Sequence, residues 1–284
     1  MVKVALSYGH GANTYETKHS KFVVVNGKVY EEHTHNWQVG VRVRDILKAH
    51  GVEILELQPP NGNDVPLQTR TDKANAWKAD LYWSIHSNAG AASAKGWCGF
   101  YWKGSASGEK AAKLYAKNVA ALGLPLYSGD GIYPSEKGTW SDFHELRESH
   151  MPAVLTENGF MTNAEDFKYI FENKDGYYDK VAVAHAKAIL EYFGIAYKAP
   201  AAPVISKPAT PTNKEGWVKE DSIWYFYKDG EKFKGGWLQD KGKWYYLEPS
   251  AGRMVVGHQI IGNKPYHFEE SGALIITNED GVIQ

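Results

Sequence analysis

The chain is 284 residues long with a formal net charge of −1, 43% apolar and 23% charged residues, the composition of an ordinary globular protein with room for one enzyme-sized domain and a small second one. No apolar run approaches the ~20 residues that span a bilayer, and no basic excess is available to neutralise phosphates, so membrane and nucleic-acid partners are set aside. Cys98 is the only cysteine, which excludes an internal disulfide framework and thiolate-rich metal sites and leaves histidine and carboxylate as metal ligands.

Lys3 to Ser7 reads as a first buried strand that runs into Gly9-His10-Gly11; the apolar run behind Met1 is too short for the core of a signal peptide. Asn26-Gly27 between the β-prone residues of 22–30 predicts a hairpin. From Glu32 onward, Asn36, Val39, Val43, Ile46 and Leu47 recur at helical spacing, and Gly51 supplies a stop. Glu32 then opens that helix on its inward face. Val52 to Leu57 predicts a strand, Gln68 to Ala79 a helix, and Asp80 to Ile85 a buried strand leading directly into His86-Ser87-Asn88. Trp97 to Trp102 follows as a strand, Ala106 to Leu122 as a helix, Ala153 to Leu155 as a last strand with Glu157 after it, and Tyr178 to Phe193 as a closing helix. Such alternation predicts an α/β domain over residues 1–197, with a mostly parallel sheet and helices on both faces. Ligands of such sheets sit beyond the carboxyl ends of the strands.

Residues 198–213 contain Pro200, Pro203, Pro208 and Pro211 and no aromatic residue, which predicts a semi-extended linker. Beyond it, Gly216-Trp217 through Trp224-Tyr225-Phe226 is echoed 20 residues later by Gly236-Trp237 through Trp244-Tyr245-Tyr246, with a weaker copy from Gly257-His258 to Tyr266-His267-Phe268. Each unit offers an aromatic strand, a turn (Asp229-Gly230, Ser250-Ala251-Gly252, Ser271-Gly272) and a second strand. One unit cannot bury its own apolar face, so residues 214–284 are expected to form a small all-β domain of stacked hairpins.

Two imidazoles and a carboxylate on a rigid sheet edge can hold a tetrahedral ion and leave a fourth position for water. His10, Glu32 and His86 offer that set, and Glu157 stands where a second carboxylate could move the water's proton. With 11 histidines in the chain, spacing alone also allows chance groupings. The motifs narrow the choice: Gly9-His10-Gly11, Glu32 with Asn36, Arg70 with Asn75, Ser84-Ile85-His86-Ser87-Asn88, and Pro152 to Asn163 read together. In these, residues 1 to 195 resemble the zinc-dependent N-acetylmuramoyl-L-alanine amidases of the amidase-3 family, which cut peptidoglycan. The resemblance implies one zinc ion on His10, Glu32 and His86, with Glu157 as the catalytic carboxylate. Glu31 could compete with Glu32, but only Glu32 keeps the spacing to Asn36. The family often carries Asp shortly before Gly-His-Gly, where Ser7 and Tyr8 stand here, so the group that orients the first histidine is left open. His33 and His35 are expected to be exposed residues of the first helical turn. Arg147 and Asn88 are candidates for substrate contact, with the loop-capping reading of Arg147 equally open, and His144 and His150 are unassigned.

The aromatic units resemble choline-binding and related cell-wall-binding repeats. That resemblance implies wall-ligand contacts at Trp217, Trp224, Trp237, Trp244 and Tyr246, with Met254 as an apolar floor; choline on teichoic acid and another wall polymer are both open. Together the two halves imply a peptidoglycan hydrolase that cuts the amide between N-acetylmuramic acid and L-alanine, anchored to the wall by its repeats. The expected source is a phage endolysin that waits in the host cytoplasm until release, because no signal peptide is seen. A bacterial autolysin, a non-enzymatic wall-binding protein and a glycosidase using Glu32 and Glu157 are the alternatives.

Overall fold

The computed structural model describes residues 1–15, 21–199, 214–220, 223–248, 252–261, 264–269 and 271–275. They fall into two compact units, Met1–Ala199 and Pro200–Gln284. Residues 200–213, most of the expected linker, lie outside the described residues, as do Ser250 and Ala251 of one expected turn.

The first unit runs β1 (Lys3–Tyr8), β2 (Phe22–Val25), β3 (Lys28–Glu31), α1 (Glu32–Ala49), β4 (Glu53–Glu56), α2 (Leu67–Trp77), β5 (Leu81–Asn88), β6 (Trp97–Trp102), α3 (Ala106–Ala120), β7 (Ile132–Ser135), α4 (His144–Arg147), β8 (Ala153–Phe160), α5 (Ala164–Glu172) and α6 (Tyr177–Tyr192). Six strands make one sheet in the order β4-β1-β5-β8-β6-β7. Neighbouring pairs are parallel except β6 and β8.

Both faces of this sheet are covered, as the expected α/β class requires. Along β1, side chains alternate between the two faces, and Val4, Ala5, Leu6, Ser7 and Tyr8 are all fully buried. On one side α1, α3 and α6 pack Val39, Val43, Leu47, Val119 and Ile189 around Val4, Leu6 and Trp83. On the other, α2 and α4 bring Ala74 and Leu146 against Ala5, Tyr82 and Phe100. Each buried Val, Leu or Ile contributes on the order of 1.5–3 kcal/mol, so α1 is held mainly by its apolar stripe. Gly40 sets its height: a Cβ there would fall 2.1 Å from the Tyr8 ring, and glycine lets the helix lie close over the end of β1. The β2–β3 hairpin turns at Asn26 and Gly27, whose φ values of +51° and +76° are those of the turn that Asn-Gly predicts.

The structure departs from the sequence expectation at the sheet's centre. β8 continues to Phe160, because Thr156, Glu157 and Asn158 go on pairing with neighbouring strands. Glu157 therefore stands on a strand flanked by β5 and β6, not in the loop behind it, and β5 likewise carries His86 within it. β7 and α4 were not expected: at four residues each they are too short to show a period. α5 also went unread, although Asn163 caps it by accepting bonds from Glu165 N and Asp166 N.

The second unit contains β9 (Gly216–Glu220), β10 (Ile223–Lys228), β11 (Glu231–Lys232), β12 (Gly236–Asp240), β13 (Lys243–Leu247), β14 (Gly257–Ile261) and β15 (Lys264–Phe268). β9–β10, β12–β13 and β14–β15 are antiparallel hairpins. The repeat is visible in the backbone: Met254 N donates to Trp224 O at 2.9 Å and, one unit later, Leu274 N donates to Trp244 O at 2.7 Å. Among the described residues, no helix is long and apolar enough to cross a membrane.

Candidate active site

The carboxyl ends of β1, β5 and β8 deliver His10, His86 and Glu157 to one edge of the sheet, and the first residue of α1 adds Glu32. One ligand atom from each of His10, Glu32 and His86 lies within 4.8 Å of the other two, the one such group among the described residues. His10 Nε2 is 3.1 Å from Glu32 Oε2, and His86 Nδ1 is 3.0 Å from Glu32 Oε1. The two imidazoles meet edge to face, with centroids 5.0 Å apart.

Backbone geometry makes this approach possible. A Cβ on Gly9 would fall 2.4 Å from His86 Cε1 and Nδ1, so the ring lies against bare backbone. His10 turns the chain off the strand at φ +64°, and Gly9 N donates to Ile85 O at 2.9 Å, tying one histidine's strand to the other's. Asn36, one helical turn beyond Glu32, donates to Gly9 O at 3.0 Å and to Glu32 Oε1 at 3.2 Å. Ser87 N adds a bond to the same oxygen at 3.1 Å. The Glu32–Asn36 spacing is thereby explained: Oε1 is anchored, and Oε2 faces His10. We expect Gly9→Ala to push the His86 ring aside and weaken metal uptake by about tenfold or more. Competition for zinc with a chromophoric chelator measures this, and wild-type affinity in a folded variant would show that the ring can yield.

The electrostatics favour a cation. Burial pushes the Glu32 carboxyl up, but His10 and His86 outweigh it and hold the group ionised, well below the usual carboxylate range. Burial works against a charge on His86, yet Glu145 and Glu32 outweigh it and raise the imidazole to about 10. Glu157 is pushed up to about 8, first by burial, with Glu32 adding to the rise and His86 opposing it. Glu157 Oε2 and the Nε2 atoms of His10 and His86 are buried without a hydrogen-bond partner. A divalent cation fits this donor set of two imidazoles and an ionised carboxylate, with room left for a water. Glu157 is the strand partner of His86 on β5, and both line a cavity of about 340 Å³ shared with Lys21, Leu67, Asn88, Phe143, His144 and Met161.

Comparison with known proteins gives the family. Residues 4–191 match the model of the N-acetylmuramoyl-L-alanine amidase family. The chain belongs to that family. A sporulation-specific N-acetylmuramoyl-L-alanine amidase of Bacillus subtilis is 28% identical over 200 residues, 69% of this chain and 69% of the relative. The endolysin of Bacillus phage SPP1 is 30% identical over 203 residues, 66% of this chain and 69% of the relative. Among solved structures, the catalytic domain of CwlV, an N-acetylmuramoyl-L-alanine amidase from Bacillus (Paenibacillus) polymyxa var. colistinus, is similar at 28% identity and TM-score 0.58, covering 69% of this chain and 100% of that one. Residues 235–254 match a cell wall binding repeat of the choline-binding type.

The remaining candidates of the amidase fall into three groups. Asn88 lines the cavity, with its Oδ1 accepting from Ala89 N at 2.8 Å. Arg147 pairs with Asp142 and, at 2.7 Å, with Glu148, and is not among the cavity-lining residues. His144 lines the cavity and lies 3.3 Å from Thr71 Oγ1, whereas His150 is exposed. His33 and His35 are not exposed: they are buried, because His33 meets Asn61 at 3.2 Å and His35 meets Ser87 at 2.8 Å beneath Tyr177 and Tyr178. Neither belongs to the ligand group. Sequence reasoning missed Glu145, which lies fully buried beside His86. The sole sequence signal was indirect, Ser7 in a position where the family often carries a carboxylate.

In the second unit, Trp237 sits among Trp244, Tyr246, Tyr266 and Phe268, with ring centroids 4.7 to 6.3 Å away. Trp217 packs on Phe226 and Tyr245 and donates from Nε1 to Asp240 at 3.0 Å. Trp224 and Trp244 remain 38% and 37% exposed, which leaves ring surface for a ligand. Met254 lies against Gly272, where a Cβ would fall 2.2 Å from its Sδ.

Proposed function

We propose that the chain is a zinc-dependent peptidoglycan hydrolase that cleaves the amide between N-acetylmuramic acid and the L-alanine of the stem peptide. The observation that carries the reading is the triad of His10, Glu32 and His86 within 4.8 Å, with Glu157 opposite His86 on the next strand, in a chain of the amidase family. One zinc ion would be held by those three side chains. When bound, it supplies an acidified water and an electrophile for the amide carbonyl. Glu157 Oε2, buried and without a partner, accepts the water's proton and returns it to the leaving amine. Its raised pKa, about 8, suits a group that must both take and give a proton near neutral pH.

Residues 1–197 are then the catalytic domain, 198–213 the linker and 214–284 the wall anchor. Trp217, Trp224, Trp237, Trp244, Tyr246 and Met254 would contact a wall polymer, choline-bearing teichoic acid or another. A tether of this kind raises the local concentration of enzyme at an insoluble substrate without altering the chemical step. The similarity to the SPP1 endolysin supports a lytic role, with the chain held in the host cytoplasm until it reaches the wall.

Digestion of purified Gram-positive walls, followed by mass spectrometry of the soluble products, tests the reading. Stem peptides with a free L-alanine amino terminus are expected. New reducing sugars with intact muramoyl-alanine links would overturn it in favour of glycoside cleavage by paired carboxylates. A chain ending at Ala199 should release the same products but remain in the supernatant when walls are pelleted.

A further inference from the structure

Glu145 stands on the four-residue helix α4, yet its carboxylate reaches the sheet edge beside His86. Its Oε1 accepts from Ser7 Oγ at 2.6 Å and from Tyr82 OH at 2.5 Å, and its Oε2 accepts from Ser84 Oγ at 2.9 Å. The direction of the bonds is forced. Ser7 Oγ accepts a hydrogen bond from Arg70 Nη1 at 2.9 Å, so its own O–H is directed to Glu145. A carboxylate has about four acceptor positions, and three hydroxyls occupy three of them. His86 Nε2 lies 3.5 Å from Oε2 and is itself buried without a hydrogen-bond partner. A shift of about half an ångström brings the pair into N–H···O range.

We infer that Glu145 is the positioning residue of the metal site: it accepts the Nε2 proton of His86 and so presents the Nδ1 lone pair toward Glu32 and His10. An imidazole can give only one nitrogen to a metal while the other carries the proton, and the partner of that proton decides which. His86 Nδ1 is the nitrogen 3.0 Å from Glu32 Oε1, so the tautomer set by Glu145 turns the correct lone pair inward. Here the anion comes from α4, and β1 contributes only a hydroxyl to hold it.

This inference rests on the metal reading above, and the experiment separates the two. Long-range ¹H–¹⁵N spectra of the full-length chain, loaded with zinc, report which nitrogen of His86 is protonated. The proton is expected on Nε2; a proton on Nδ1 overturns the inference, and this readout needs no variant. Chelator competition should find zinc bound 10–100-fold more weakly by Glu145→Gln, and Ser7→Asp added to that variant should recover affinity, since Ser7 Oγ already lies 2.6 Å from the carboxylate. Affinity within twofold of wild type in Glu145→Gln would also overturn it. A wild-type chain that takes up no zinc refutes the metal reading, and this inference with it; a wild-type chain that binds zinc with the other tautomer refutes this inference alone.

Discussion

Dialysis of the purified chain against a strong chelator is expected to reduce its release of stem peptides from walls by about a thousandfold or more, and one equivalent of zinc should restore it. The expectation follows from what the remaining groups can do. Without an ion, the attacking water must be deprotonated at a pKa of about 15.7 rather than about 7, and Glu157 as a base cannot make up that difference. Among the described residues, the cationic groups at the cavity are no substitute for the ion: His86 is committed to Glu32 and Glu145 on either side, and Lys21 at the cavity wall cannot acidify a water as a metal does. The loss should appear in turnover, because wall attachment is proposed to reside in residues 214–284. Elemental analysis of each preparation, paired with product release, checks it. Full activity in a chain free of metal would end the proposal.

Glu157→Gln should retain its zinc and lose about 10²–10⁴-fold in amide hydrolysis, the usual contribution of a positioned proton-transfer group. The amide cannot accept the water's proton. It can replace the carboxyl sterically, since Glu157 is paired through its backbone with both β5 and β6 and its Oε2 has no partner to lose. The strand should therefore keep its register, and thermal stability should not fall. Zinc stoichiometry measured beside the rate distinguishes loss of a proton carrier from loss of the metal. A variant that is inactive because it is empty would show that Glu157 holds the ion instead. A fully active variant would assign the proton transfer to another group.

The contrast between Glu157 and Glu145 shows which groups a sequence brings to notice. Glu32, His10, His86 and Glu157 each lie in a local motif, the Glu32–Asn36 spacing, the glycines around His10, the buried run ahead of His86 and the apolar run ahead of Glu157, and it was the resemblance of these motifs to a known family, not their spacing, that singled the four out. Glu145 lies in no such motif. Its role depends on Ser7, Tyr82 and Ser84, the nearest of which is 61 residues away in the chain. The burial of His33 and His35 was misread for a related reason. A histidine in a first helical turn is exposed unless other elements close over it, and here Tyr177 and Tyr178 of α6 do so.

Local spacing along the chain thus determined the α/β class, the helix that begins at Glu32, the 20-residue aromatic repeat and the residue types able to hold a cation. These features arise from periodicity and backbone preference, which operate over a few residues and are written directly in the order of side chains. Only the tertiary structure decided that β8 runs on through Glu157, that Gly9 lies flat against the His86 ring, and that a carboxylate from α4 completes the surroundings of that histidine. Each of these depends on strands and helices far apart in sequence being brought within a few ångströms. Such proximity is created by packing the two buried faces of the sheet, and no short stretch of sequence carries it.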